Sequence, residues 1–135
     1  MSEENVETVQ RAQEAWNTEN LDAWLAELDP EAEWHTAIEQ AFEGRKSTYR
    51  GHDGLRKAWD EYRNEAWGGF MDQIQEIRDL GESVLVLGHL VTARTAGIEA
   101  GQEFGQLVTF RGGKILRTHD FLTHAEALEA AGLSE

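Results

Sequence analysis

The sequence predicts an α+β fold in which helices cover one face of a curved antiparallel sheet. Two observations lead to this class. Three segments with helical periodicity lie in roughly the first half of the chain, and a run of strand-like segments follows them over residues 70–122. Two such layers that open at one end leave a cone-shaped cavity, which large aromatic side chains and a few polar groups line. We therefore expect a single domain over residues 1–135 with a large hydrophobic pocket.

Three helices are expected before the sheet, because apolar residues recur there at intervals of three and four. Between the second and third, residues 32–38 fit a short strand. Residues 39–52 lack periodicity and predict a long loop, which would be a lid or a pocket rim. The expected helices are residues 2–17, a short helix that Asn20 caps and that ends before Asp29-Pro30, and a third that Asp53 caps and that stops at Gly68-Gly69.

Four strands are expected after the third helix, because segments rich in β-branched and aromatic residues lie between turn signals. The last of these turns, Gly112-Gly113, is a strong two-residue hairpin signal. Thr123-His124-Ala125-Glu126 is a capping box and predicts a terminal helix that ends at Gly132. The expected strands are residues 70–78, 83–95, 103–111 and 114–122.

Asp120, in the last expected strand, is the strongest candidate for a functional residue. A two-residue turn sets Leu107 opposite Thr118 and Gly105 opposite Asp120, with all four residues on one face of the hairpin. An ionised carboxylate beside such apolar neighbours is costly, and burial raises its pKa. The position therefore predicts an acid or base in the cavity. The alternative is a carboxylate bonded to a backbone amide or to a cation at the mouth of the cone.

The other face of the same hairpin collects apolar side chains that we expect to point outward. A monomer rarely leaves so large an apolar patch in water, so the patch predicts a homodimer. The expected patch comprises Val108, Phe110, Ile115 and Phe121.

The charge balance argues against polyanionic partners. Lys and Arg number 12 against 26 Asp and Glu, which gives a formal charge of −14. Such a surface repels phosphate backbones and anionic lipid headgroups, so neither nucleic acid nor a membrane is expected as a partner. The 5 tryptophans are more than a plain core requires and suit either a wide aromatic pocket for an apolar small molecule or an interface, although they can also simply fill the core.

Cysteine is absent, so the chain has neither a disulfide framework nor a thiol nucleophile. The acidic N-terminus lacks the apolar run of a signal peptide, and no apolar segment is long enough to span a bilayer. These features favour a cytoplasmic protein. The 5 histidines show no metal-ligand spacing, so we expect no metal site, and we expect no organic cofactor.

Several strings occur in the order that one known family shows: SEENVETVQRAQEAWN, LDAWLAELDPEAEWHT, YRGHDGLRKAW, GESVLVLGHL, VTFRGGKILR and AEALEAAGL. With these strings the chain resembles the SnoaL-like branch of the nuclear-transport-factor-2-like superfamily over nearly its whole length. The resemblance implies a cystatin-like cone. It does not imply one reaction, because the superfamily includes isomerases, polyketide cyclases, epoxide hydrolases and dehydratases.

The resemblance also implies roles for single positions. In epoxide hydrolases of the superfamily, the acid that protonates the epoxide oxygen lies six residues after a lysine at the last turn, which here is Asp120. Those enzymes carry an arginine and a second aspartate where this chain has His89 and Val91, so their triad is incomplete. Ketosteroid isomerases have acids at the positions of Thr36 and Leu107, which disfavours their mechanism. Cyclases that pair a histidine with an aspartate stay compatible with His89 and Asp120.

Three functions stay open at this level. The first is a cofactor-free isomerase, cyclase or hydrolase that uses Asp120 and His89 as an acid/base pair on a hydrophobic ring or polyketide-like substrate. The second is a non-catalytic binding protein for an apolar small molecule, and the third is a structural dimer whose own tryptophans fill the cavity. The expected substrate-binding residues are Trp16, Trp34, Tyr49, Trp59, Trp67, Phe70, Leu107 and Thr118.

Overall fold

Across the described residues, which are 2–36, 48–61, 70–92 and 102–133, a computed structural model contains four helices and six strands. This is the α+β class that the sequence predicts. In chain order the elements are α1 (Ser2–Asn17), α2 (Leu21–Ala26), β1 (Leu28–His35), β2 (Thr48–Arg50), α3 (Gly51–Ala58), β3 (Phe70–Asp79), β4 (Ser83–Thr92), β5 (Gln102–Arg111), β6 (Lys114–Phe121) and α4 (His124–Ala130).

The six strands form one curved, open sheet in the order β2-β1-β6-β5-β4-β3. Neighbouring strands are antiparallel except β1 and β6, which run parallel to each other. The expected antiparallel sheet is therefore a mixed one. The parallel pair brings the first strand of the sheet beside the last one in chain order.

Helices cover both faces of the sheet. On β4, Val84 and Val86 belong to the main core, which the sheet forms with α1, α2 and α3. Leu85 and Leu87 point the other way, because side chains alternate along a strand, and they pack with Ala127 of α4 in a second cluster. The direction of each strand residue therefore decides whether it reaches the main core or the α4 side.

Two of the three predicted helix caps are confirmed. Asn20 accepts a hydrogen bond from the backbone N–H of Ala23 at 3.1 Å, and Thr123 accepts one from Glu126 at 3.1 Å. The prediction that Asp53 caps the third helix is wrong. That helix begins two residues earlier, at Gly51, where a φ of +70° suits glycine.

The segment around Asp29-Pro30 differs from its prediction as well. The α2 helix ends at Ala26, and Asp29 and Pro30 lie within β1. Pro30 is tolerated there because it falls in the stretch between Leu28 and Glu33 where the ladder with β6 shifts register. Asp29 is buried and accepts two hydrogen bonds from Arg111, which hold its pKa below the ordinary value.

Part of the expected loop over residues 39–52 is a strand, β2, which pairs with the end of β1. Residues 37–47, 62–69 and 93–101 lie outside the described part of the chain, and so does the predicted helix stop at Gly68-Gly69. Each helix within the described ranges is too short or too polar to cross a bilayer.

Candidate functional site

A cavity of about 80 Å³ lies between the N-terminal helices and one face of the sheet. Its wall is mostly apolar, with Trp16, Trp24 and Trp34 among the lining side chains. A smaller polar part of the wall includes Gln13, Thr36, Gln106, Thr118 and Asp120. An apolar hollow with a few converging polar groups is the usual form of a small-molecule site.

Tryptophan rings fill much of the cone and keep the cavity small. The ring centroid of Trp16 lies 5.3 Å from that of Trp24, 5.5 Å from that of Trp34 and 5.2 Å from that of Trp59. These are contact distances for edge-to-face and tilted rings. Trp59 is buried behind the other rings and is not part of the described lining. The cavity therefore has a wall of tryptophan rings that contact one another.

Asp120 is fixed by two hydrogen bonds from neighbouring strands. Trp34 of β1 donates from Nε1 to Oδ2 at 2.8 Å, and Gln106 of β5 donates from Nε2 to Oδ1 at 2.9 Å. Gln106 is itself held by Gln13 of α1, whose Nε2 donates to its Oε1 at 2.8 Å. Three elements thus converge on one carboxyl group and set its orientation at the cavity wall.

Burial raises the pKa of Asp120 from the ordinary 3.8 to about 7, although the hydrogen bonds from Trp34 and Gln106 act in the opposite direction. The residue as a whole keeps some exposed surface, but its carboxyl group is buried. Near neutral pH both the acid and the carboxylate are therefore populated. A group in that state can both donate and accept a proton.

A β-bulge aims Asp120 into the cavity. The hairpin starts in the expected register, with Arg111 opposite Lys114, but one extra residue of β6 enters the ladder between Thr109 and Phe110. Asp120 consequently pairs with Gln106 and not with Gly105. Without the extra residue, strict alternation from the inward-facing start of β6 would direct Asp120 outward.

The expected partners of Asp120 on β5 are wrong for the same reason. Leu107 pairs with Leu85 and His119, on the face that points away from the cavity, while Gln106 and Val108 line the cavity. Thr118 does line the cavity. The correction removes Leu107 from the expected substrate-binding residues.

The outward apolar patch on the hairpin is also wrong. Val108 and Ile115 are buried and line the cavity, and Phe110 packs against the main core. Phe121 packs on the α4 side with Leu85 and Leu87. The homodimer stays a prediction, but this patch no longer supports it.

His89 is not brought together with Asp120. It follows Leu85 and Leu87 along the alternation of β4 and therefore lies on the α4 face. There its ring centroid is 5.6 Å from that of His124 in α4. The expected acid/base pair would require both side chains on one face, so the structure does not support it.

Of the other expected binding residues, Tyr49 lies behind the cavity wall, and the side chains of Phe70 and Trp67 are not described. Tyr49 is buried, its ring centroid lies 6.3 Å from that of Trp34, and its hydroxyl donates to Glu61 at 3.3 Å, so it supports the cavity wall from behind. Phe70 begins β3, but its side chain lies outside the described residues. Trp67 lies outside them entirely.

Gln13, Trp24 and Gln106 line the cavity but are not among the predicted site residues. Gln13 sits on the apolar stripe of α1 beside Ala12 and Trp16, and a polar residue on such a stripe is a usable signal. Gln106 pairs with Asp120 only because of the bulge, and no pattern in the sequence predicts that bulge.

The opposite face of β1 and β6 carries a polar cluster. The rings of His35 and His119 are 4.2 Å apart, and Nε2 of His35 is 2.9 Å from Oε1 of Glu33. Burial, and then the charge of His35, lower the pKa of His119. Within the described ranges, no three His, Asp or Glu side chains are arranged to hold a metal ion.

A family model described as "SnoaL-like domain" matches residues 9–118 of this chain. Among curated proteins, none matches the sequence significantly. Solved structures do match, at sequence identities that show a shared fold only.

Three of these structures illustrate the likeness. TerC, co-crystallised with polyporic acid, is 22% identical, and the match covers 96% of this chain and 98% of TerC with a TM-score of 0.72. A proposed polyketide cyclase from Sinorhizobium meliloti is 16% identical, with 85% and 94% covered and a TM-score of 0.67. A proposed ketosteroid isomerase from Kribbella flavida is 15% identical, with 91% and 80% covered and a TM-score of 0.69. The predicted family resemblance and the predicted fold class are confirmed.

Proposed function

The chain belongs to the SnoaL-like domain family, and we propose that it is an enzyme in which Asp120 exchanges a proton with a ring-containing small molecule held in the tryptophan-lined cavity. One observation carries the proposal. The carboxyl group of Asp120 is buried at the cavity wall, is fixed by Trp34 and Gln106, and has a pKa of about 7. Such perturbed groups in a hollow concentrate at functional sites.

The proposed chemistry is general acid and base catalysis by Asp120 alone. As a carboxylate, Asp120 accepts a proton from an acidic C–H or O–H bond of the ligand. As the neutral acid, it returns the proton to another atom of the same ligand. A pKa near the working pH keeps both forms populated, which is the condition for moving a proton both ways.

The wall of the cavity supports a compact, flat ligand. Trp16, Trp24 and Trp34 offer ring faces and edges, against which an aromatic or conjugated ring packs favourably. The names of the neighbours agree with this class, since one was co-crystallised with polyporic acid and the others are a proposed polyketide cyclase and a proposed ketosteroid isomerase. Thr118 adds a hydroxyl group at the wall for a polar substituent.

Hydrogen–deuterium exchange of 2-indanone in D2O tests the proposal, because this compact ring ketone has C–H bonds acidic enough for a general base. We expect the protein to accelerate the exchange, followed by proton NMR, with a rate that rises with pH through about 7 as Asp120 ionises. Asp120→Asn should abolish the acceleration. Asp53→Asn is the matched control, because it removes the same charge from a fully exposed side chain.

A non-catalytic binding protein is the second candidate, which the apolar wall alone would support. Native mass spectrometry of freshly purified protein separates the two, together with the exchange assay. A retained ring compound that binds wild type and Asp120→Asn equally, with no accelerated exchange, would favour the binding protein over the enzyme.

A further inference from the structure

A chain of two hydrogen bonds connects Asp120, through Gln106, to Gln13, which also lines the cavity. Gln106 donates to Oδ1 of Asp120, and Gln13 donates to Oε1 of Gln106. Oε1 of Gln13 ends this chain of bonds. It is buried and finds no hydrogen-bond partner among the described residues. A buried acceptor without a partner is costly, so a ligand that donates a hydrogen bond to it gains affinity.

The direction of the hydrogen bonds depends on the charge of Asp120. An ionised carboxylate only accepts, so Gln106 must donate with its Nε2, and its Oε1 then accepts from Gln13. The indole of Trp34 only donates, so an added proton cannot lie between Trp34 and Oδ2. A proton on Oδ1 instead makes Asp120 a donor to Gln106. Both amides then turn over, and Nε2 of Gln13 becomes the unpaired end.

We propose that this relay, Gln13–Gln106–Asp120, switches the ligand preference of the cavity with the charge of Asp120. When Asp120 is ionised, Gln13 presents an acceptor and the cavity prefers a ligand that donates a hydrogen bond. When Asp120 is neutral, Gln13 presents a donor and the cavity prefers a ligand that accepts one. The inference rests on the proposed function, since it needs Asp120 to change its protonation state at the cavity. Gln13 is then the residue that selects the ligand.

No other ionisable group on the surrounding elements takes the place of Asp120 within the described residues. Glu33 of β1 contributes to the cavity wall, but its carboxylate is engaged by His35, Arg50 and Arg117, which hold its pKa low. His119 of β6 lies on the opposite sheet face. Asp29 of β1 is buried, but its carboxylate accepts two hydrogen bonds from Arg111. The remaining charged residues of α1, β1, β5 and β6 are exposed: Glu3, Glu4, Glu7, Arg11, Glu14, Glu31, Glu103, Arg111, Lys114 and Arg117.

Two aromatic probes distinguish the two states of the relay. Indole donates a hydrogen bond and acetophenone accepts one, and neither titrates between about pH 5 and about pH 9. In isothermal titration we expect indole to bind about five-fold more tightly at the higher pH and acetophenone about five-fold more tightly at the lower pH, the effect of about one net hydrogen bond.

Three variants make the test specific. Gln13→Met and Gln106→Met keep the length of the side chain but interrupt the relay, so both should lose the opposite pH trends. Asp120→Asn retains a donor that can face Gln106, so it should prefer acetophenone at both pH values. The relay is rejected if Gln13→Met keeps the opposite trends, since Asp120 would then contact the probes directly, or if wild type shows no opposite trends.

The outcomes also separate the relay from the proposed function. Opposite pH trends with no acceleration of 2-indanone exchange would support the relay and reject the enzyme. Accelerated exchange without opposite trends would support the enzyme and reject the relay. Failure of both probes to bind wild type at either pH would reject ligand binding in the cavity and the relay with it.

Discussion

The indole nitrogen of Trp34 donates a 2.8 Å hydrogen bond to the carboxyl group of Asp120, across the parallel pair formed by β1 and β6. Trp34 lies opposite Thr118, so its side chain reaches Asp120 two residues further along the neighbouring strand. The bond favours the ionised form and partly offsets the burial that raises the pKa. One side chain therefore forms part of the aromatic wall and also tunes the candidate acid.

Asp120→Asn should change stability in a pH-dependent way. The folded protein holds the Asp120 proton more tightly than the unfolded chain, because the folded pKa of about 7 exceeds the ordinary 3.8. The stability of wild type is therefore highest below about pH 4 with respect to this group. This stabilising contribution falls progressively as the pH rises from about 4 to about 7. The total loss is on the order of 4 kcal/mol.

The variant has no such titration. The free energy of unfolding of the variant should therefore increase relative to that of wild type as the pH rises from about 5 to about 9. Urea unfolding at about these two pH values measures the difference. An equal difference at both values would contradict a buried, titrating carboxyl group.

Trp34→Phe should destabilise the protein more at high pH than at low pH. The substitution keeps an aromatic ring but removes the donor to Asp120, and a hydrogen bond to a charged group contributes about 1.5–3 kcal/mol. The pKa of Asp120 should rise further. Trp24→Phe is the control, because it shrinks a ring in the same cluster that does not bond Asp120, and its cost should not depend on pH. Identical pH profiles for both variants would count against the Trp34 bond.

His89→Ala should leave the cavity chemistry unchanged. His89 lies on the α4 face, near His124, and the sheet separates it from Asp120. We expect the acceleration of 2-indanone exchange and its pH midpoint to match those of wild type. A loss of exchange comparable to that of Asp120→Asn would contradict this separation and would support the predicted acid/base pair of Asp120 and His89.

Gly105→Ala should loosen the contact between the sheet and α4. A Cβ atom at position 105 would lie 2.4 Å from Cβ of Ala127, which is closer than real contacts allow. We expect a cost of about 1–3 kcal/mol, typical of overpacking. Adding Ala127→Gly removes the opposing atom and should recover part of the loss in urea unfolding. No recovery would mean that α4 does not pack at this distance.

The fold was largely predictable from the chain. Periodicity located α1 and the four long strands, and the capping chemistry of Asn20 and Thr123 located two helix starts. Strand β2 was missed because three residues are too few to show alternation. Its place in the sheet depends on long-range pairing with β1, which local patterns do not record.

The site was predictable only in part. Asp120 stands out as a charge in an apolar strand, and tryptophan content indicates an aromatic wall. The turn at Gly112-Gly113 fixes the first pairs of the hairpin, but the bulge in β6 changes every pair from Thr109 onward. The prediction therefore chose Leu107 as a neighbour where the structure has Gln106. The position of His89 was not predictable, because alternation shows which residues of a strand share a face but not which face lines the cavity.

Direct titration of the Asp120 carboxyl carbon by carbon-13 NMR is the most immediate test of the account. The resonance, assigned by its loss in Asp120→Asn, should shift with a midpoint near pH 7. A midpoint near 4, the ordinary value for an exposed aspartate, would show that the group is hydrated and would remove the basis for proton exchange in the cavity.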